Sequence, residues 1–138
     1  MPPSYDPSMA DDVAAYLASN SLGRRGFDIF TNQLPTKRIN SFLITDTGGA
    51  PPEQYYPLDH PSVQVAFYAG AKDHAKGWQK IWDAYHLLNR KQNLTIGSRD
   101  AMFARAVATP QSLGLDEENK RWLFTFNVSF KIRGADGE

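Results

Sequence analysis

Histidine and carboxylate side chains are the residues of this sequence that could do chemistry, and they are scattered. The three histidines are His60, His74 and His86. The last two are twelve residues apart in one predicted helix, about 18 Å along its axis, so they cannot share a metal ion within one subunit. His60 follows Asp59 and could form an acid–base pair with it, although such neighbours are more often simply exposed.

Charged residues cluster at four places, and none of them matches a catalytic or phosphate-binding motif. The clusters are Asp11-Asp12, Asp116-Glu117-Glu118, Arg24-Arg25 and Lys37-Arg38. The first suits a helix start, and the second is typical of a solvated loop or of a charged contact with a partner. Gly48-Gly49 lacks the lysine and serine of a phosphate-binding loop, and it predicts a turn. We therefore expect no enzyme activity, no metal site and no cofactor.

The composition narrows the class of protein further. The chain has 138 residues, with 15 basic and 15 acidic side chains and no cysteine. A net charge of zero argues against a bulk basic field for nucleic acid and against a polybasic membrane anchor. Without cysteine there is no disulfide framework and no thiolate metal site. The length suits one domain, residues 1–138, with an irregular lead-in over residues 1–7 that does not look like a signal peptide.

Two helices follow from apolar residues at helical spacing. Residues 9–21 place Met9, Val13 and Leu17 on one stripe. Residues 71–92 form the clearest helix, with a stripe that includes Trp78 and Trp82. Gly77 lies within this helix, where it lets a strand or an aromatic ring approach closely.

Period-two alternation predicts five strands. They cover residues 27–34, 39–45, 63–68, 101–108 and 122–132, and the first two are expected to form an antiparallel hairpin. Residues 46–61 and 110–119 are predicted loops, the first long enough to be functional, and residues 133–138 a frayed tail. The predicted fold is α+β, a mostly antiparallel sheet of about five strands with two helices packed on one face.

Several stretches resemble the bacteriophage tail terminator family, whose members are also called minor capsid or tail-completion proteins. They are residues 29–35 (Ile-Phe-Thr-Asn-Gln-Leu-Pro) and 42–49 (Phe-Leu-Ile-Thr-Asp-Thr-Gly-Gly), followed by 59–65, the long helix, and 110–117 before the last strand. The resemblance covers residues 9–132. It implies a small α+β subunit of a hexameric ring that caps the tail tube, stops its polymerisation and joins the tail to the head, with no enzyme activity and no cofactor.

A ring of identical subunits needs two different complementary surfaces on each copy. One candidate surface is the polar face of the last strand, and another is the first hairpin, with Phe30 and Leu34. We expect the loop residues Gly48, Gly49, Pro51, Tyr55 and Tyr56 to contact the tail tube, because tyrosine suits interfaces. We also expect Asp116, Glu117 and Glu118 to meet Arg24 and Arg25, or Lys37 and Arg38, of the adjacent subunit.

The expected partners are further copies of the chain, the tail tube protein and a head-completion or connector protein. We expect no membrane partner and no specific nucleic acid, since only Phe30, Tyr55 and Tyr56 could stack on bases. The expected location is the virion tail or neck, with host cytoplasm during assembly. A head-closure or connector ring, a small enzyme using Asp59 and His60, and a monomeric peptide- or sugar-binding module remain alternatives.

Overall fold

The computed structural model describes residues 9–34, 38–50, 58–96, 99–118 and 120–133. It contains two helices, α1 (Met9–Ser19) and α2 (His74–Leu88). The strands are β1 (Ile29–Thr31), β2 (Ser41–Ala50), β3 (Leu58–Gly70), β4 (Lys91–Ile96), β5 (Arg99–Ala106), β6 (Gln111–Asp116) and β7 (Arg121–Arg133). The predicted lead-in over 1–7 and nearly all of the predicted tail lie outside the described residues. No helix among the described ranges is long and apolar enough to cross a membrane.

The strands form one mixed sheet of seven strands in the order β1-β2-β3-β7-β5-β4, with β6 also paired to β7. The α+β class is therefore confirmed, whereas the prediction of about five mostly antiparallel strands is wrong. Strand β6 pairs with Arg121 to Thr125 of β7, and β5 pairs with Val128 to Ile132. The two short strands thus follow each other along the same edge of β7.

The predicted opening hairpin is wrong, because β1 and β2 are parallel. Ile29 pairs with Phe42, and Thr31 with Ile44. Parallel neighbours need a connection that returns the chain by the length of a strand. A strand of three residues spans about 10 Å, a distance that residues 32–40 can cover. Asn32, at φ 59°, adopts the left-handed conformation immediately after β1.

Much of the predicted loop over residues 46–61 is strand. Gly48 pairs with Ser62, and Ala50 pairs with His60. Strand β7 accompanies β3 along its other side as far as Leu58, which pairs with Arg133. Strand β3 is held extended here by its pairing with β7, and Gly48 and Gly49 of β2 pair with β3. The predicted turn at Gly48-Gly49 is therefore wrong. Residues 51–57 lie outside the described part of the chain.

Two further strands, β4 and β6, were not predicted. The helix predicted to reach residue 92 ends at Leu88, and Arg90 follows at φ 57°, a left-handed conformation that stops a helix. Strand β6 lies in the predicted loop over 110–119. A bulge between Ser112 and Gly114, with Gly114 at φ 98°, breaks its alternation.

Both helices pack on the same face of the sheet and share one core with it. Met9, Val13 and Leu17 of α1 are buried in the same cluster as Ile81 and Leu88 of α2. The alternating side chains of β7 complete the cluster: Phe124, Phe126, Val128, Phe130 and Ile132. The predicted stripe of α1 and the buried face of the last strand are therefore confirmed. In α2 the buried face is Gly77, Ile81, Ala84 and Leu88, whereas Trp78 of the predicted stripe is exposed, so that stripe is wrong in part.

Candidate functional site

Two of the three histidines pack against aromatic rings. The ring of His74 lies edge-on to Trp122 and Phe124, with centroids 4.7 and 5.1 Å apart. His86 packs on Trp82 and Tyr85 at 5.6 and 5.5 Å. His60 and Asp59 lie in β3 next to the end of the described segment. Within the described ranges, no three histidine or carboxylate side chains are close enough together to hold a metal ion.

The basic pair at residues 24–25 is anchored within the subunit. Arg25 Nη2 lies 2.9 Å from Asp11 Oδ1, which also accepts a hydrogen bond from Thr31 Oγ1 at 2.9 Å. This contact ties the segment before β1 to the first turn of α1. Arg24 is exposed. Of this predicted interface pair, Arg25 therefore already has a carboxylate partner in its own chain.

The second basic cluster lies beside two phenylalanines. Arg38 Nη2 donates a hydrogen bond to the carbonyl oxygen of Phe27. Its guanidinium carbon lies 5.4 Å from the Phe27 ring centroid and 5.6 Å from that of Phe30, within the range of a cation–π contact. Phe30 and Leu34 are half-buried. Lys37 lies outside the described residues.

The predicted acidic cluster forms the end of β6 and the following turn. Glu117 and Glu118 are exposed, and the backbone N–H of Glu118 donates to Asp116 Oδ1 at 3.1 Å. Asp116 Oδ2 lies 3.9 Å from Arg121 Nε, so this ion pair is weak. Arg121 also donates from Nη1 to the carbonyl oxygen of Arg38 at 3.0 Å and lies 4.3 Å above the Tyr68 ring.

A groove beside Arg38 was not predicted. It has a volume of about 500 Å³ and is lined by Phe27, Asp28, Arg38, Ile39, Asn40, Ser41 and Lys76. Phe27 is 61% exposed and Ile39 is 44% exposed. The groove joins the segments before β1 and β2 to the first turn of α2. Alternation and helical spacing carry no signal for such a site, because its residues come from three separate segments.

The polar face of β7 is exposed along half of its length. Thr125 is buried and Leu123 half-buried, whereas Asn127 and Ser129 are exposed. Beside this exposed half, a shallow depression of about 280 Å³ is lined by Phe103, Arg105, Ser129, Phe130 and Lys131. The predicted polar surface therefore exists over its second half alone.

The described part of the predicted tail-tube loop lies in paired strands. Gly48 and Gly49 belong to β2 and pair with Ser62 and Pro61 of β3. Asp46 holds the base of this hairpin: its Oδ2 accepts a hydrogen bond from Asn32 Nδ2 at 2.9 Å, and its backbone N–H donates to Asn32 Oδ1 at 3.0 Å. Pro51, Tyr55 and Tyr56 lie outside the described residues.

Two comparisons with known proteins bear on identity. No curated protein matches the chain in sequence. The family model described as bacteriophage tail terminator protein matches residues 16–133, which reach from within α1 to the last residue of β7 and make up most of the chain. On this match the chain belongs to the bacteriophage tail terminator family, whose members are structural components of the virion tail.

Proposed function

We propose that this protein forms a hexameric ring on the end of the phage tail tube, where it stops tube polymerisation and provides the surface that joins the tail to the head. The observation that carries this proposal is the family match over residues 16–133. The partners are further copies of the chain, the tail tube protein and a head-completion or connector protein. The ring assembles in the host cytoplasm and ends in the virion neck.

The distribution of exposed side chains supports a ring. A ring of identical subunits joins one patch of each copy to a different patch of the next. The groove at Phe27 and Arg38 lies at the β1–β2 side of the sheet, whereas Leu113 and the acidic turn lie at β6. The subunit thus presents two unlike surfaces, one beside β1 and β2 and one at β6. Arg121 lies between them, because it donates a hydrogen bond to the carbonyl oxygen of Arg38 and its Nε lies 3.9 Å from Asp116 Oδ2.

We assign the tail-tube contact to the end of the β2–β3 hairpin. Strands β2 and β3 are paired up to Ala50 and His60, so residues 51–57 directly follow a paired, two-stranded segment of the sheet. This segment contains Pro51, Tyr55 and Tyr56, and tyrosines offer large, rigid contact areas with a polar tip. Replacing the segment leaves every residue of the paired strands β2 and β3 in place.

Replacing residues 51–57 by Gly-Ser-Asn-Gly tests this assignment. The four new residues shorten the segment and leave Leu58 and Asp59 paired with Arg133 and Ile132 of β7. We expect the variant to melt at the same temperature as the wild type and to form oligomers with the same number of subunits. In cells producing tails, it should fail to cap the tube, so tails become overlong and infectious particles are lost. Electron microscopy measures the tail lengths.

A variant with Tyr55→Ala and Tyr56→Ala is the matched control of unchanged length. It should show the same defect if the tyrosines make the contact, and normal tails if the length of the segment matters. Normal tails with both variants would contradict the assignment of this segment. Labelled wild-type protein on heads that lack tails, and not on tail ends, would instead identify a head-closure or connector ring.

A further inference from the structure

The exposed large apolar side chains of the described residues include a group on each side of the sheet. Phe27 and Ile39 line the groove next to β1 and β2. Val107 and Leu113 lie on the other side, before and within β6, and are 66% and 55% exposed. Among the described strands, β6 pairs with β7 alone, and its second edge is open. Leu113 is the extra residue of the β6 bulge.

The groove residues and Leu113 can be placed relative to one row of paired residues that runs across the sheet. One cross-strand row joins the first strand to the last, through the paired residues Ile29, Phe42, Phe67, Phe124 and Ser112. Phe27 lies two residues before this row, and Leu113 directly follows it. The row crosses four strand spacings, about 19 Å. The groove and Leu113 therefore lie several strands apart across the sheet, both toward the end of the sheet at which β2 begins.

The charges of the two sides are opposite. The groove carries Arg38 and Lys76, against one carboxylate, Asp28, whose Oδ1 accepts the backbone N–H of Arg24. A second carboxylate, Asp73, accepts a hydrogen bond from the lining residue Asn40 at the edge of the groove. The turn after β6 carries three carboxylates, Asp116, Glu117 and Glu118, and one exposed lysine, Lys120. The cations Arg38 and Lys76 beside exposed apolar walls are thus matched by an acidic turn next to an exposed leucine.

We propose that these two sides form the seam between neighbouring subunits. Leu113 of one copy packs against Phe27 and Ile39 of the next, and Glu117 and Glu118 face Arg38 and Lys76. The seam rests on the ring of the proposed function and specifies its contact residues. The contact joins unlike patches of successive copies, as a ring of identical subunits requires.

A charge swap tests the seam. One variant carries Glu117→Lys with Glu118→Lys, a second carries Arg38→Glu with Lys76→Glu, and a third carries all four changes. Each single-side reversal replaces attraction by repulsion and should weaken subunit association about tenfold. The four-change variant restores opposite charges and should recover most of the association. Light scattering over a concentration series gives ring mass, and complementation of phage lacking this gene gives the titre.

Arg90→Glu is the matched control, because Arg90 is exposed in the turn after α2, outside both surfaces and outside the depression beside β7. It should leave ring mass and titre unchanged, and thermal melting checks that every variant folds. Leu113→Ser should weaken the ring without any change of charge. The seam is overturned if folded single-side reversals behave like the wild type, or if the four-change variant recovers nothing. Wild-type protein that forms no ring and is absent from tail ends would overturn the proposed function itself.

Discussion

Asp46 connects the start of α1 to the base of the β2–β3 hairpin. Its Oδ1 accepts the backbone N–H of Ala10 at 2.9 Å, a role that a capping residue normally fills from within its own helix. Its other oxygen and its backbone N–H bond to Asn32. One carboxylate thus fixes the helix, the end of β1 and the hairpin relative to one another.

Asp46→Ala should lower the free energy of unfolding by about 1 kcal/mol, the usual cost of a lost helix cap. Urea denaturation gives the value from the shift in midpoint at constant slope. Asp46→Asn keeps an acceptor oxygen for Ala10, so it should lose less than the alanine variant. Because Asp46→Asn places an NH2 group opposite the donor Asn32 Nδ2, Asn32→Ala measures the cost of that bond separately. Equal losses in all three variants would contradict the capping role of Asp46.

At the scale of elements, α2 approaches the sheet as closely as Gly77 allows. A Cβ at this position would lie 2.6 Å from Ala69 Cβ of β3 and 2.6 Å from Phe124 Cε2 of β7. Both neighbours are fully buried and cannot move away without disturbing the core. The close approach predicted for Gly77 is therefore confirmed, and it involves a strand and an aromatic ring together.

Gly77→Ala should destabilise the protein although alanine is the better helix former. The gain in helix propensity is about 1 kcal/mol, and overpacking of a tight core costs about 1–3 kcal/mol, so we expect a net loss. Ala75→Gly, on the exposed side of the same helix, measures the propensity alone in urea unfolding. Adding Ala69→Gly to Gly77→Ala removes one of the two clashes and should recover part of the loss. A stabilised Gly77→Ala variant would contradict this packing.

Elements with a strict repeat could be predicted from the sequence, and elements with an interrupted repeat could not. Strand β7 alternates without a break, and both helices carry continuous apolar stripes. In β6 the bulge at Gly114 interrupts the alternation, so no strand is predicted there. In β4 a half-buried lysine, Lys91, occupies a position where a buried apolar side chain would indicate a strand. The parallel pairing of β1 with β2 depends on where a chain of nine residues returns, which local periodicity does not encode.

Some features of the candidate surfaces could be predicted from the sequence, and others arise only from tertiary packing. Clusters of adjacent charges, such as Asp116 to Glu118, are visible in the sequence, and their exposure follows from their polarity. The intrachain contact of Arg25 with Asp11 and the groove that includes Lys76 arise when segments distant in sequence meet. Tertiary packing decides how each basic cluster is engaged: Arg25 pairs with a carboxylate, whereas Arg38 contacts a carbonyl oxygen and two rings.

For the whole molecule, a net charge of zero lets identical copies approach without mutual repulsion, so local charges decide how they meet. If Glu117 and Glu118 face Arg38 and Lys76 of the next copy, salt must weaken the ring. The Debye length falls from about 10 Å at 0.1 M to about 3 Å at 1 M salt, whereas the proposed apolar contact of Leu113 with Phe27 would not be screened. We expect association measured by light scattering to fall over this range without being abolished.

Glu117→Gln with Glu118→Gln should flatten the salt dependence while keeping the apolar contact. An equally steep dependence in that variant would assign the salt effect to other charges, and salt-independent assembly of the wild type would contradict a charged seam.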